Sequence, residues 1–149
     1  MAYTLTLPDG YGYVVLVALG LVPVLSWTQG AVVTTMRREA RVPYPNAYAS
    51  AEQAKENKVA YKFNCAQRSH HNLLENMPQT MLYILFSGLE YPKAAAGVGA
   101  AWLIFRIIFA WGYITSTKAH GAGRLYGGAF WLMQGGLWGM SIATALKML

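Results

Sequence analysis

KFNCAQRSHHNLLENMPQTMLYILFSGL, from Lys62 to Leu89, decides how this chain is read. Its second half is apolar enough to enter a membrane, while its first half carries Arg68, Asn72 and Glu75. Offsets of four, three and seven place those side chains on one helical face, with Gln67 and His71 beside them. A cation, an amide and a carboxylate at the mouth of an apolar helix cost free energy unless they bind one another or a ligand. The pattern predicts a polar site at a membrane surface, suited to a small molecule that carries both charges.

Composition agrees. Apolar residues make up 55% of the 149, charged residues only 12%, and the mean hydropathy is +0.28. A soluble domain carries about 25% charged residues. Cys65 is the single cysteine, which excludes an intrachain disulfide; a packed small side chain is its default role.

The apolar runs predict four spans. No charge falls between Asp9 and Arg37, more than the roughly 20 residues a crossing needs, so span one covers 11–36 with a kink at Pro23. It lacks a basic leading region and is too long for a signal core, so it is not read as a cleaved signal. Span three, 94–114, is interrupted by Arg106. Span four, 125–145, is charge-free, and Gly135, Gly136 and Gly139 predict close helix packing. Only fourteen residues separate Glu75 from Glu90, too few to cross alone. Span two, 63–89, must therefore include the polar turns ahead of Glu75, which face protein or water. The expectation is an all-α membrane protein, one domain over 1–149, built as a bundle of four transmembrane helices.

The connections predict orientation. Arg37, Arg38, Arg41, Lys55, Lys58, Lys62, Arg68, Lys118 and Arg124 lie on one side, against Lys93 and Lys147 on the other. Nine against two places the first group in the cytosol and both termini on the far side. The cluster can also meet anionic lipid head groups. Nucleic acid is not an expected partner, because the charge is confined to membrane-proximal positions.

Arg37, Arg38 and Arg41 end span one, where cations favour a helix C-terminus and reach for the head groups. Arg37 and Arg41 also share a face on the same side of the membrane as Arg68 and Arg124. Arginine offers a planar fork for carboxylates that lysine lacks. Several arginines, an amide and one carboxylate suit a ligand with two carboxylates and an ammonium, and glutathione is such a ligand.

RREARVPYP at the exit of span one, FNCAQRSHHNLLENMP, and GVGAAWLIFRIIFAWGYIT in span three together resemble the MAPEG family, membrane-associated proteins in eicosanoid and glutathione metabolism. Arg68, Asn72, Glu75 and Pro78 stand at the family's spacing. The resemblance implies a homotrimer of four-helix subunits in the endoplasmic reticulum or another intracellular membrane. Glutathione would be the co-substrate, bound between neighbouring subunits near the cytosolic face. It carries glutathione binding onto Arg37, Arg68, Asn72, Glu75 and Tyr113, and more loosely onto His70. Asn76 and Phe109 stand where relatives have tyrosines. The arginine that activates the thiol lies about two turns beyond Tyr113 in the family; here the stretch reads TSTKAHGAGR. Arg124 is the expected activator, with Lys118, His120 and then Arg38 as the other candidates.

A free thiol with a pKa near 8.5 is only a few per cent ionised at neutral pH, so the chemistry needs a cation beside the sulfur. The thiolate would attack a lipophilic electrophile or a lipid hydroperoxide arriving from the bilayer. No metal is expected: the three histidines show no ligand spacing, and His70 and His71 point to different helix faces. A non-catalytic lipid-binding or activating protein of the same fold is the alternative reading, and a small transporter subunit a more distant one.

Overall fold

The charge-free run after Asp9 forms one long helix, α1, Tyr11–Glu39, in the computed structural model, which describes residues 6–149. Pro23 has no N–H for the carbonyl four residues back, and the turn ahead of it, Leu16–Leu21, widens into a π-helix. The expected kink thus takes the form of a widened turn. Arg37 and Arg38 occupy the last turn of α1, and the chain leaves through Arg41 at a φ of 53°.

The connection that follows is ordered. Ser50 and Gln53 cap each other's backbone to start the short helix α2, Ala51–Glu56. Asn57 then accepts from the Val59 N–H and opens α3, Lys58–Gly88, which runs 31 residues through Pro78. Helix α4, Pro92–Thr115, starts with proline in its first turn, where the missing N–H costs nothing. Helix α5 is Phe130–Leu146.

Span four was expected to begin at residue 125, but Ala119–Gly127 folds as 3-10 turns pressed against α4. Glycine permits the approach: a Cβ on Gly127 would lie 2.2 Å from the Phe105 carbonyl oxygen, and one on Gly123 would lie 2.2 Å from that of Gly112. Gly135, Gly136 and Gly139, read as close-packing positions, have nothing within 4 Å of a Cβ within the chain. The close contacts instead fall on glycines of the preceding turns.

Helices α3 and α4 form the middle of the molecule, flanked by α1 and α5. Val14, Val17, Leu73, Ile84, Trp102, Phe130 and Leu137 build the main core, and Phe63 centres a smaller one beneath the α1–α2 connection. Helix α1 packs on α3 along its length but meets α4 mainly at its N-terminal end, so α1 and α4 diverge towards the end that holds the arginines. Large apolar side chains face outward, with Trp27 at 78% exposure and Trp111, Trp131, Leu132 and Trp138 all exposed. Tyr11–Glu39 and Pro92–Thr115 are long and apolar enough to cross a bilayer. The opening turns of α3 are polar, and the 17 residues of α5 lie at the short end of the roughly 17–25 that cross a bilayer.

Candidate functional site

The face of α3 marked out by the sequence is assembled into a chain of hydrogen bonds. Arg68 Nη1 donates to Glu75 Oε1 at 2.7 Å, and Asn72 Nδ2 donates to Glu75 Oε2 at 3.3 Å. Helix α4 supplies the next link: Arg106 Nη1 donates to Asn72 Oδ1 at 2.7 Å. Arg106 is fully buried, ringed by Trp102, Phe109 and Phe130, with the Phe130 centroid 4.3 Å from the guanidinium carbon. Because Arg106 occupies the Asn72 oxygen, the amide N–H groups must turn outward to Glu75. The outer end stays open, with Arg68 and Glu75 side chains 46% and 53% exposed.

The same ladder runs inward. Asn76 Oδ1 accepts from Gln134 Nε2 of α5 at 3.1 Å, and Gln134 Oε1 accepts from the Trp102 indole at 3.3 Å. Asn76 ties α3 to α5.

At the exit of α1, Arg37 is buried. Its Nη1 donates to the Asn46 carbonyl at 2.6 Å and its Nη2 to that of Ala47 at 3.3 Å, and Tyr44 and Phe63 flank it at 4.5 and 4.8 Å. Asn64 clamps Ala49 through both N–H and C=O at 2.8 and 3.0 Å. This strap brings Tyr48 over α3, where its hydroxyl meets His71 Nδ1 at 2.9 Å while Gln67 holds Nε2 at 2.8 Å. Burial pushes the Tyr48 phenol up, against the pull of Arg68, so the hydroxyl stays neutral. Arg38, next in sequence, is exposed.

Tyr113 lies near the same face, within electrostatic reach of Arg68 and Tyr48. Its ring fills the space beside Gly121, whose φ is +62° and whose Cβ, if present, would sit 2.2 Å from it. Arg124 lies over that ring with its guanidinium carbon 5.5 Å from the centroid, and its Nη1 is fixed by the His120 and Gly121 carbonyls at 2.7 and 3.0 Å. Lys118 sits over Tyr126 instead, and the His120 side chain is exposed. Arg124 thus approaches Tyr113, whereas Lys118 and His120 turn elsewhere. His70 leaves the Arg68 face altogether: it packs beside Gly30 of α1, and its Nδ1 has no partner. Cys65 is buried.

The arrangement can hold a zwitterion: a guanidinium and a carboxylate half exposed, an amide locked as donor, a phenol and a further guanidinium at the end of the row. Among the described residues no three His, Cys, Asp or Glu converge for a metal. Sequence reasoning missed Tyr48, which a loop delivers, and Gln134, which looked like one polar residue in an apolar run. For Gln134 the signal was present: a lone amide in a charge-free span needs a partner.

The family model that matches this sequence is that of the MAPEG family, over residues 14–143. That range holds all of α2, α3 and α4, most of α1 and α5, and every site residue described above. Its members are membrane-associated proteins of glutathione-related metabolism. With most of its length matched, and the polar face of α3 inside the match, the chain belongs to the MAPEG family.

Proposed function

We propose that the protein is a membrane-bound glutathione transferase and peroxidase, most like microsomal glutathione S-transferase 3. It works as a homotrimer of four-span subunits in the endoplasmic reticulum membrane, with glutathione held near the cytosolic face. The observation that carries this reading is the Arg68–Glu75–Asn72–Arg106 chain. Its outer members neutralise each other without ligand and remain accessible, so a tripeptide zwitterion can replace each partner in turn: its ammonium on Glu75, a carboxylate on Arg68.

Arg124, at the Tyr113 end of the row, stabilises the thiolate. Lowering a thiol pKa by two units needs about 2.7 kcal/mol of preferential anion stabilisation, within reach of one guanidinium in a partly desolvated pocket. In conjugation the sulfur lone pair forms the new C–S bond and the electrophile's leaving group departs with the displaced pair. In peroxide reduction the sulfur attacks the terminal oxygen, the O–O bond breaks to release an alcohol, and a second glutathione closes the disulfide with loss of water. Arg37, fixed by its strap, acts by presenting the Tyr44–Tyr48 connection to the site.

Glutathione titration by calorimetry, with conjugation and hydroperoxide assays in detergent micelles, tests the reading. Binding with turnover supports it. Absence of glutathione binding overturns it, and binding without either turnover returns the non-catalytic alternative.

A further inference from the structure

The connection from α1 to α2 is clamped on both sides of one side chain. Arg37 takes the carbonyls of Asn46 and Ala47, and Asn64 takes both main-chain groups of Ala49, so Tyr48 sits between two fixed points. Its ring meets His71 edge-on, with centroids 5.7 Å apart and planes at 89°, and its hydroxyl lies 2.9 Å from His71 Nδ1. Buried Gln67, one turn back on α3, fixes the other ring nitrogen, with its Nε2 at 2.8 Å from His71 Nε2. An amide N–H only donates, so His71 Nε2 accepts and the ring carries its proton on Nδ1. Turning the amide over would bury two N–H groups where one oxygen, Gln67 Oε1, now lacks a partner. The His71 Nδ1–H therefore donates to the Tyr48 oxygen, and the phenol's own hydrogen is left for an acceptor outside this trio. Tyr48 stands within electrostatic reach of Arg68, Glu75 and Tyr113.

We propose that the Tyr48 hydroxyl reads the α-carboxylate at the γ-glutamyl end of glutathione, with Gln67 and His71 as positioning residues that aim it. This role presupposes the glutathione reading and adds a residue to it. Arg68 and Glu75 lie 2.7 Å apart, so the two ligand charges that replace them on each other must be neighbours as well. In glutathione an ammonium and a carboxylate share a carbon only at the γ-glutamyl end, while the glycine carboxylate lies at the far end of the tripeptide. A carboxylate has about four acceptor sites, and the Arg68 fork covers about half of them, which leaves room for a neutral O–H from the side. A phenol adds that bond without placing another positive charge beside Glu75, the group that takes the ammonium.

Glutathione and two analogues isolate the contact: glutaryl-cysteinylglycine lacks only the ammonium, and 4-aminobutyryl-cysteinylglycine lacks only the α-carboxylate. Their affinities for the whole chain in detergent micelles are read by competition with tritiated glutathione. Tyr48→Phe, which keeps the ring against His71, should weaken glutathione and the glutaryl peptide by about tenfold and leave the aminobutyryl peptide unchanged. That unchanged peptide also reports a folded variant. Gln67→Leu should show a smaller loss with the same selectivity, and nitrogen-15 spectra of histidine-labelled wild type should place the His71 proton on Nδ1. Equal weakening of all three peptides by Tyr48→Phe, or a His71 proton on Nε2, overturns the role of Tyr48 while the glutathione site stands. So does a loss that disappears with γ-glutamylcysteine, which would put the phenol on the glycine carboxylate. A wild type that binds none of the peptides overturns the glutathione reading itself, and the role of Tyr48 with it.

Discussion

The two flanks of α3 differ in charge and in how far their polar groups are joined to one another. On one, Arg68, Asn72, Glu75 and Arg106 answer one another in sequence, and each bond directs the next, while Arg106 Nε and Nη2 and Gln67 Oε1 stay without a partner. On the other, Ser69, His70 Nδ1 and Gln29 of the facing helix hold polar atoms with no partner. A ligand for the first flank must displace bonds that already exist, so affinity there is a difference between two sets of charge contacts. That exchange favours selectivity among charged molecules.

The largest effect on turnover that tests this contrast lies at the end of the matched flank. Arg124→Ala should cut turnover at neutral pH by about 25-fold, the thiolate fraction lost when a pKa rises by two units from about 6.5 to about 8.5. The sign follows from the charge: removing a cation raises the bound thiol's pKa, so the loss is full below the wild-type thiol's pKa and fades as pH passes the variant's. Ultraviolet thiolate absorbance titrated against pH measures it. An unmoved titration in Arg124→Ala, with a shift in Lys118→Ala, His120→Ala or Arg38→Ala, transfers the role. A bound thiol still protonated at neutral pH in wild type removes the transferase chemistry.

Next, in affinity rather than turnover, Arg68→Ala or Glu75→Ala should weaken glutathione by roughly ten- to a hundredfold, because each leaves a ligand charge unpaired. Calorimetry that shows unchanged affinity in both would dissolve the matched flank as a binding site. The smallest effect belongs to the unmatched flank. Gln29→Leu should raise the thermal midpoint by a few degrees, since it removes a buried amide without partners. A lowered midpoint would mean that Gln29 is already satisfied in the assembled protein.

Much of this contrast was legible in the residues. Spacing alone placed Arg68, Asn72 and Glu75 together, because side chains on one helix obey a fixed period. The course of α1 and α4 followed from apolar run length. The partners of Arg37 were not legible, since Asn46 and Ala47 accept through main-chain oxygens that every residue possesses. The start of α5 was missed because glycines at 121, 123 and 127 serve a close approach to α4 that composition cannot distinguish from a helix interior. The unmatched flank left only a faint trace, Gln29 in a run without charge, and its meaning depends on how far α1 and α4 separate.

The inner ladder from Arg106 through Asn72 and Asn76 to Gln134 and Trp102 has a consequence for assembly. In a bilayer, leucine on a neighbouring helix is little better company than a lipid tail, so apolar helices can rotate about their axes at small cost. Turning α5 by a single residue would swing Gln134 away from Asn76 and Trp102 at once, and turning α4 would strand Arg106. The ladder therefore acts as an index mark: it rejects mis-set rotations of three helices while their greasy surfaces are still indifferent.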